Sequence, residues 1–492
     1  MPLDTPPNVS DTRSTPPREA IPIVPATEEV ALYEIRKKIY PRAVHGAFAR
    51  WRWALVFATQ LVYYGLPWLT WNGRQAVLLE LAERKFYIFG IVFWPQDVIY
   101  LTVLLILAAL TLFLFTTVAG RLWCGYACPQ TVYTDIFTWI ERKIEGDRLA
   151  RIRLDAAPLS LEKFVIKGLK HSAWFAVALW TGFTFVGYFS PIRDLFVHAV
   201  TWKLGGWEAF WMLFYGFATW GNAGFMREQV CKYMCPYARF QSVMFDKDTL
   251  IITYDGKRGD PRGSRRKGID PRSKGMGDCV DCNICVQVCP TGIDIRNGLQ
   301  YECIGCAACI DGCDQVMDKM GYPRGLIRYT TQNALAKGYD SKTMWRRVFR
   351  FRTILYTAVL VLIASAAAFS LATRNPLKVD ILRDRGALAR EAAPGVIENV
   401  YRIQIMNTDE TARRFTLRAQ GFPGLEVVGV DQPIALGPAQ SRVLPVRLQA
   451  PVPDNAASSA KAEPHPIQFI VEAVGDDKVV RHEKSTFIVP KQ

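Results

Sequence analysis

Residues 279–313 read CVDCNICVQVCPTGIDIRNGLQYECIGCAACIDGC, eight cysteines in 35 residues. Few folds are open to such a segment. The spacing is Cys279-x2-Cys282-x2-Cys285-x3-Cys289-Pro290, followed by Cys303-x2-Cys306-x2-Cys309-x3-Cys313, which is the bacterial ferredoxin run written twice. Three thiolates spaced by two residues can wrap three corners of a cubane. The fourth, held away by the longer gap, reaches the other cluster. Cys279, Cys282, Cys285 and Cys313 are therefore expected to bind one 4Fe-4S cluster, and Cys289, Cys303, Cys306 and Cys309 the other. Zinc is the competing explanation, because thiolates at two-residue spacing also make zinc sites, but paired CxxC units have no use for two interleaved four-cysteine runs. The second run ends Cys313-Asp314 where the first has Cys-Pro, a departure that removes no ligand.

All twelve cysteines lie between Cys124 and Cys313, and none follows, a distribution unlike a disulfide scaffold. The other four form Cys124-x3-Cys128-Pro129 and Cys231-x3-Cys235-Pro236. If a helix persists through each motif, positions i and i+4 put both sulfurs on one face, and the proline tends to end the helix nearby. Two such ends could converge on a four-thiolate site. Buried free thiols and a transient disulfide remain alternatives. Soft thiolates suit Cu(I), and Met226, Met234 and Met244 could add thioethers, although methionines there are also simple packing.

Five stretches carry no Asp, Glu, Lys or Arg and are long enough to cross a hydrocarbon core: 53–73, 98–120, 172–192, 209–226 and 353–372, against the roughly 20 residues a spanning helix needs. With 50% hydrophobic residues and 14 Trp, the chain reads as a membrane protein. The formal charge of +15 fits basic loops flanking spans better than nucleic-acid binding. Basic residues crowd the segment before the first span and the loop after the second, so both belong inside. The cysteine-rich region then lies in the cytoplasm and the C-terminus outside. FYIFGIVFW (86–94) is expected to be interfacial or re-entrant rather than a sixth span. The five histidines fall outside the spans, so a membrane b-type haem is not supported. The basic stretch 257–274 is read as a solvated loop, a headgroup contact or a dock for an acidic donor.

Residues 1–35 read as a disordered tail without a cleavable signal, 36–248 as a membrane domain with four helices and both CxxxCP motifs, and 249–345 as a cytoplasmic two-cluster ferredoxin domain. Residues 346–374 give the fifth helix. From 375 to 492, strand-like alternation (YRIQIMN, RRFTLRAQ, LEVVGV, SRVLPVRLQA, PIQFIVEAV, STFIVP) points to a periplasmic Ig-like β-sandwich.

RLWCGYACPQTVYTD (121–135), CKYMCPYARFQSVMFD (231–246), the two cluster runs and CDQVMDKMGYPRGLIRYTT (313–331) resemble the FixG/RdxA/CcoG family of cytochrome c oxidase accessory proteins. The resemblance covers nearly everything after the N-terminal leader. It implies an inner-membrane polyferredoxin needed to assemble cbb-type oxidases, a metalloreductase that turns Cu(II) into Cu(I). It also implies that copper, as substrate, is handled at Cys124, Cys128, Cys231 and Cys235. The implied partners are a cytoplasmic electron donor, a copper chaperone or exporter and the oxidase subunits, with a homo-oligomer left open and no nucleic acid. Two other readings stand beside it: a quinol-dehydrogenase subunit, which shares the two-cluster, multi-span plan, and a non-catalytic oxidase assembly scaffold.

Overall fold

The computed structural model describes residues 38–383, 389–451 and 463–490; the expected disordered tail 1–35 lies outside them. From Tyr40 onward the chain forms one unit. Among the described residues two helices are long and apolar enough to cross a membrane, Pro95–Ala119 and Phe351–Ala372. Within the first, α2 is Val98–Ala119. The second is α9, Phe351–Ala372.

These two helices run antiparallel and are tied at both ends. Tyr100 and Ser370 hydroxyls meet at 3.0 Å. Asp97, buried at the head of α2, pairs with Arg374 at 2.7 Å and with Lys378, just past the end of α9. At the opposite end Arg350 pairs with Asp246 at 2.9 Å and donates to the Thr117 carbonyl at 2.7 Å.

The other three apolar stretches fold differently from uninterrupted spans of the expected limits. Helix α1 is Ala47–Gly65 rather than 53–73; it begins earlier, takes in Arg50 and Arg52, and gives way to a tight turn at Leu66–Trp68 that contains Pro67. The stretch 172–192 is the distal part of a longer helix, α5, Leu161–Val186. The stretch 209–226 divides into α6, Gly206–Thr219, and a π-helical turn, Trp220–Met226.

Residues 86–94, expected to be interfacial or re-entrant, are extended rather than helical. They contribute two strands, Lys85–Ile88 and Ile91–Phe93, to a three-stranded antiparallel sheet with Val77–Glu80. The Phe89-Gly90 turn, with Phe89 at φ 51°, folds the apolar run back on itself. This sheet and the two-stranded hairpin before it, Thr70–Trp71 with Arg74–Gln75, hold the C-terminal domain: from the sheet and its end Val92 and Trp94 pack with Met406, and from the hairpin Trp71 Nε1 donates to Glu410 at 3.1 Å and Arg74 pairs with it.

That C-terminal domain is the β-sandwich. One sheet orders strands Glu426–Val428, Ser441–Pro451, Val396–Asn407 and Leu377–Arg383; the other orders Ile434–Leu436, Arg413–Gln420, Glu463–Ala473 and Asp476–Val489. Alternate residues from both sheets, among them Tyr401, Ile403, Val446, Phe415, Phe469 and Phe487, fill the core, and Tyr401 donates across the sandwich to the Thr486 carbonyl at 2.8 Å.

The cysteine-rich domain occupies the other end of α1 and α2. Its paired strands Ile251–Tyr254 and Ile327–Thr330 follow directly from the end of α2, where Leu250 donates to the Val118 carbonyl at 3.0 Å. Gly120, at φ 56°, allows the turn there, because a Cβ would lie 2.8 Å from the Leu250 carbonyl. The helix α8, Ala308–Met320, presents buried Asp311 to the start of α1, accepting from the Ala49 amide at 2.7 Å and the Phe48 amide at 3.3 Å. A carboxylate at a helix N-terminus satisfies orphan donors and opposes the dipole. Helix α1 is thus fastened to the cysteine-rich domain at its start and leads at its end into the strands that carry the β-sandwich.

Candidate electron-transfer and thiol site

The two cysteine runs fold as a pseudo-repeat. In each, the residue after the second cysteine takes a left-handed conformation, Asn283 at φ 55° and Ala307 at φ 59°, and a helix starts at the next residue. For alanine this conformation is costly, and the fit of the loop around its neighbours imposes it.

Two cavities result. One is lined by Cys279, Cys282, Cys285 and Cys313 with apolar walls that include Val316 and Leu326. The other is lined by Cys289, Cys303, Cys306 and Cys309 with Ile252 and Ile304, and Cys285 lies on its wall as well. Among the described residues no three His, Cys, Asp or Glu converge closely enough to hold a single ion. Sulfurs arranged around a void, rather than on a point, fit a four-iron cluster and not one tetrahedral zinc. Burial pushes the thiols up, Cys285 and Cys306 to about 11 and Cys303 and Cys313 to about 12. The bare thiols therefore keep their protons at neutral pH, and a cationic cluster supplies the charge that makes them thiolates.

The CxxxCP motifs do not form continuous helices. Cys124 lies in α3, Leu122–Tyr126, and Cys128 is extended ahead of α4, Pro129–Glu145. Cys231 lies in a second π-helical turn, Val230–Met234, and Cys235 is extended ahead of α7, Pro236–Met244. Proline disfavours the helical region for the residue before it and is preorganised as the first residue of a new helix, so the motif breaks at its second cysteine.

The two motifs nonetheless meet. Cys231 feels Cys128, Cys124 and Cys235, and Cys124 feels Cys128 and Cys235, as neighbouring charges. Burial first, and these neighbours second, push Cys231 to about 12; burial takes Cys124 to about 11 against a hydrogen bond to Gln241. Gln130, two residues past Cys128, joins the halves by donating to the Asn222 carbonyl at 3.0 Å and the Arg227 carbonyl at 3.1 Å.

This thiol group adjoins the second cavity. Cys124 and Cys231 pack against the buried wall that includes Cys306, Ile304 and Val288. Gly125 makes the approach close: a Cβ there would lie 2.8 Å from the Cys306 backbone. Between them sits Arg121, buried, donating to the Tyr301 carbonyl and to the Ala238 carbonyl at 2.6 Å, and its charge opposes the upward shift of Cys124, Cys231 and Cys303. Arg121, Gln130 and Asp311 stand out in no spacing pattern of the sequence. A lone arginine directly after an apolar span is the available signal for the first. In the basic stretch 257–274, Arg258 pairs with Asp278 at 2.6 Å and Arg265 donates to the Gly277 carbonyl at 2.7 Å, so part of it is spent on internal contacts.

Comparison with known proteins adds to this geometry. Family profiles match residues 226–332 as a 4Fe-4S dicluster domain, 101–146 as a 4Fe-4S binding domain and 367–490 as the IG-like fold at the C-terminal of FixG. Protein RdxB of Cereibacter sphaeroides is 38% identical over 93% of this chain and 98% of its own. The chain belongs to the FixG/RdxA family. Nitrogen fixation protein FixG of Rhizobium meliloti is 37% identical over 87% of this chain and 89% of its own, and Protein RdxA of C. sphaeroides is 40% identical over 82% and 88%. As a family member with iron–sulfur domains and two helices long and apolar enough to span, the chain is an iron–sulfur, oxidoreductase-like electron-transfer protein of the membrane.

Proposed function

We propose that this protein is a cupric reductase that supplies Cu(I) for the copper centre of a cbb-type cytochrome c oxidase. The observation that carries the reading is the packing of Cys124 and Cys231 against the wall containing Cys306. Cys279, Cys282, Cys285 and Cys313 hold one 4Fe-4S cluster, and Cys289, Cys303, Cys306 and Cys309 the other. When bound, the clusters supply one-electron transfer. The reducing equivalent enters from a cytoplasmic donor, and Cu(II) gains one electron to become Cu(I) at Cys124, Cys128, Cys231 and Cys235.

The chain's own residues account for the rest. Soft thiols favour the product ion over the substrate ion. Arg121 adds a buried positive charge beside Cys124 that favours the thiolate form. No side chain need move a proton to copper.

The same reading has five spans in the bacterial inner membrane, with the ferredoxin domain cytoplasmic and the Ig-like domain periplasmic. Its support is the position of the two domains at opposite ends of α1, α2 and α9, together with exposed apolar side chains along α6, such as Trp207, Phe210 and Phe214. A copper chaperone or exporter receives the Cu(I), and the outer domain meets the oxidase subunits.

The test is anaerobic. Clusters of the purified protein are reduced, one equivalent of Cu(II) is added, and cluster reoxidation and Cu(I) formation are followed in wild type and in a variant with Cys124, Cys128, Cys231 and Cys235 changed to Ser. Fast Cu(I) formation that the variant loses while keeping its clusters is the expected result. Equal behaviour of the two proteins overturns the assignment. Reporter fusions after residues 73, 120, 192, 226 and 374 test the five-span topology separately.

A further inference from the structure

Between α1 and α4 runs a groove of about 1380 Å³, open to one side and extending from Val44 and Gly46 to Tyr64. Its length follows the whole of α1, 19 residues, about 28 Å at 1.5 Å per residue, close to the roughly 30 Å hydrocarbon thickness of a bilayer. The middle of the groove is apolar and aromatic, lined by Phe57, Ile136 and Val177 and by Trp53 with Trp139, whose rings meet edge to face at 6.4 Å.

The polar residues are not spread evenly. Arg50, Arg142 and Lys143 all line the end nearer the ferredoxin domain. Among the described residues none of the three has an ion pair, while Asp135, the carboxylate that acts most on Arg142, is already taken by Arg52. Arg142 faces Arg151 and Arg52 as like charges and Asp135 and Asp147 as opposite ones; its burial outweighs the help of both carboxylates and holds its pKa below the ordinary value. A guanidinium keeps its charge even so, and a cation in this position is stabilised by an anion that the chain itself does not provide.

We propose that this groove is a binding site for an anionic phospholipid of the cytoplasmic leaflet, its phosphate on Arg50, Arg142 and Lys143 and an acyl chain along Trp53, Phe57 and Val177. The assignment rests on the five-span reading, which makes α1 a membrane helix. Apolar walls alone would accept any lipid tail. The one-ended set of unpaired cations selects the headgroup charge and the leaflet. The inner end of the groove also adjoins the second cysteine cavity, since Val44 packs on the wall formed by Val288, Ile304 and Cys306. The bound lipid therefore lies against the wall of the redox site and braces α1 on α4.

The rival occupant is an isoprenoid quinol, whose hydroxyl could donate to Gln60 Oε1, a buried acceptor in the same groove without a hydrogen-bond partner. The experiment uses the full-length protein with its clusters, delipidated in nonionic detergent and titrated with dioleoylphosphatidylglycerol or dioleoylphosphatidylcholine under native mass spectrometry, with thermal unfolding in parallel. Phosphatidylglycerol should be retained as one tight adduct and raise the unfolding temperature, and phosphatidylcholine should bind more weakly. Each neutralised cation should cost about fivefold in affinity, so an R50Q/R142Q/K143Q variant should lose on the order of a hundredfold. K143Q alone changes an exposed side chain and should show the fivefold loss even where the triple variant fails to fold. Equal retention of the two lipids, undiminished binding to K143Q, or displacement by a short-chain quinol that depends on Gln60 and not on the cations overturns the proposal. A chain with the five-span topology that shows no headgroup preference overturns the lipid site alone.

Discussion

Replacing Gly125 with alanine tests the contact between the thiol group and the cluster domain directly. The added methyl would lie 2.8 Å from the Cys306 Cα and amide nitrogen and from the Gly305 carbonyl carbon, where ordinary contact begins at 3.4 Å. All three atoms are backbone, so no flexible side chain can yield, and the two segments must part by about 0.6 Å or more. Overpacking of this kind costs about 1–3 kcal/mol, while the helical preference of alanine over glycine returns about 0.5–1 kcal/mol. The net expectation is a loss of about 0.5–2 kcal/mol. Gly168 supplies the control, since it lies within α5 and a methyl added there would meet nothing within 4 Å; the same substitution at that position should stabilise by about 0.5–1 kcal/mol. Thermal unfolding followed by tryptophan fluorescence should therefore move in opposite directions for the two variants. No thiol is changed in G125A, so its visible cluster absorbance should remain. Its rate of Cu(I) formation should fall, because the thiols move away from the cluster that Cys306 would hold and electron transfer weakens with distance. Unchanged unfolding together with an unchanged rate would refute the claim that the CxxxC segment sits on the Cys306 backbone.

Three further perturbations probe other joints. Asp311→Ala strips the carboxylate from the start of α1 and should cost about 0.5–2 kcal/mol, read as earlier protease cleavage between α1 and the cluster domain; cleavage at the wild-type rate counts against the cap. Asp97→Ala leaves Arg374 and Lys378 without their buried partner and should cost about 3–5 kcal/mol, whereas a loss under about 1 kcal/mol would mean that water or another group replaces it. Glu141 is penalised by its burial, yet Arg227 and then Arg151 override that penalty and hold its carboxyl below the usual range. Its contribution is present above the unfolded pKa of about 4.3 and is lost as pH falls through the lower folded value, so the stability gap between wild type and Glu141→Gln should shrink on acidification below pH about 4.3, and a gap that stays constant there would sink the ion-pair account.

Local chemistry is legible in the sequence where spacing alone carries it. The two ferredoxin runs, the apolar stretches at 98–120 and 353–372 against helices ending at Ala119 and Ala372, and the alternating strands of the sandwich all follow from short-range pattern. The strand pair within 86–94 is not legible, because hydrophobicity without alternation does not reveal it and the turn at Phe89-Gly90 is a single left-handed residue. The meeting of Cys124 with Cys231 is separated by more than a hundred residues of chain, and no periodicity encodes it. Nor does composition distinguish Arg121, which the positive-inside pattern explains as well as any other basic residue, from a cation buried among thiols.

Helix α1 is held at its start by Asp311 and at its far end by the hairpin that grips Glu410, which makes it a strut of fixed length between two domains. A strut keeps things apart as firmly as it joins them. The thiol group and the sandwich sit at opposite ends of about 28 Å of helix, and no hinge along α1 would let one visit the other. On the cupric-reductase reading proposed above, Cu(I) formed at the thiols must therefore cross that gap on a separate carrier, because no movement of α1 can take it there.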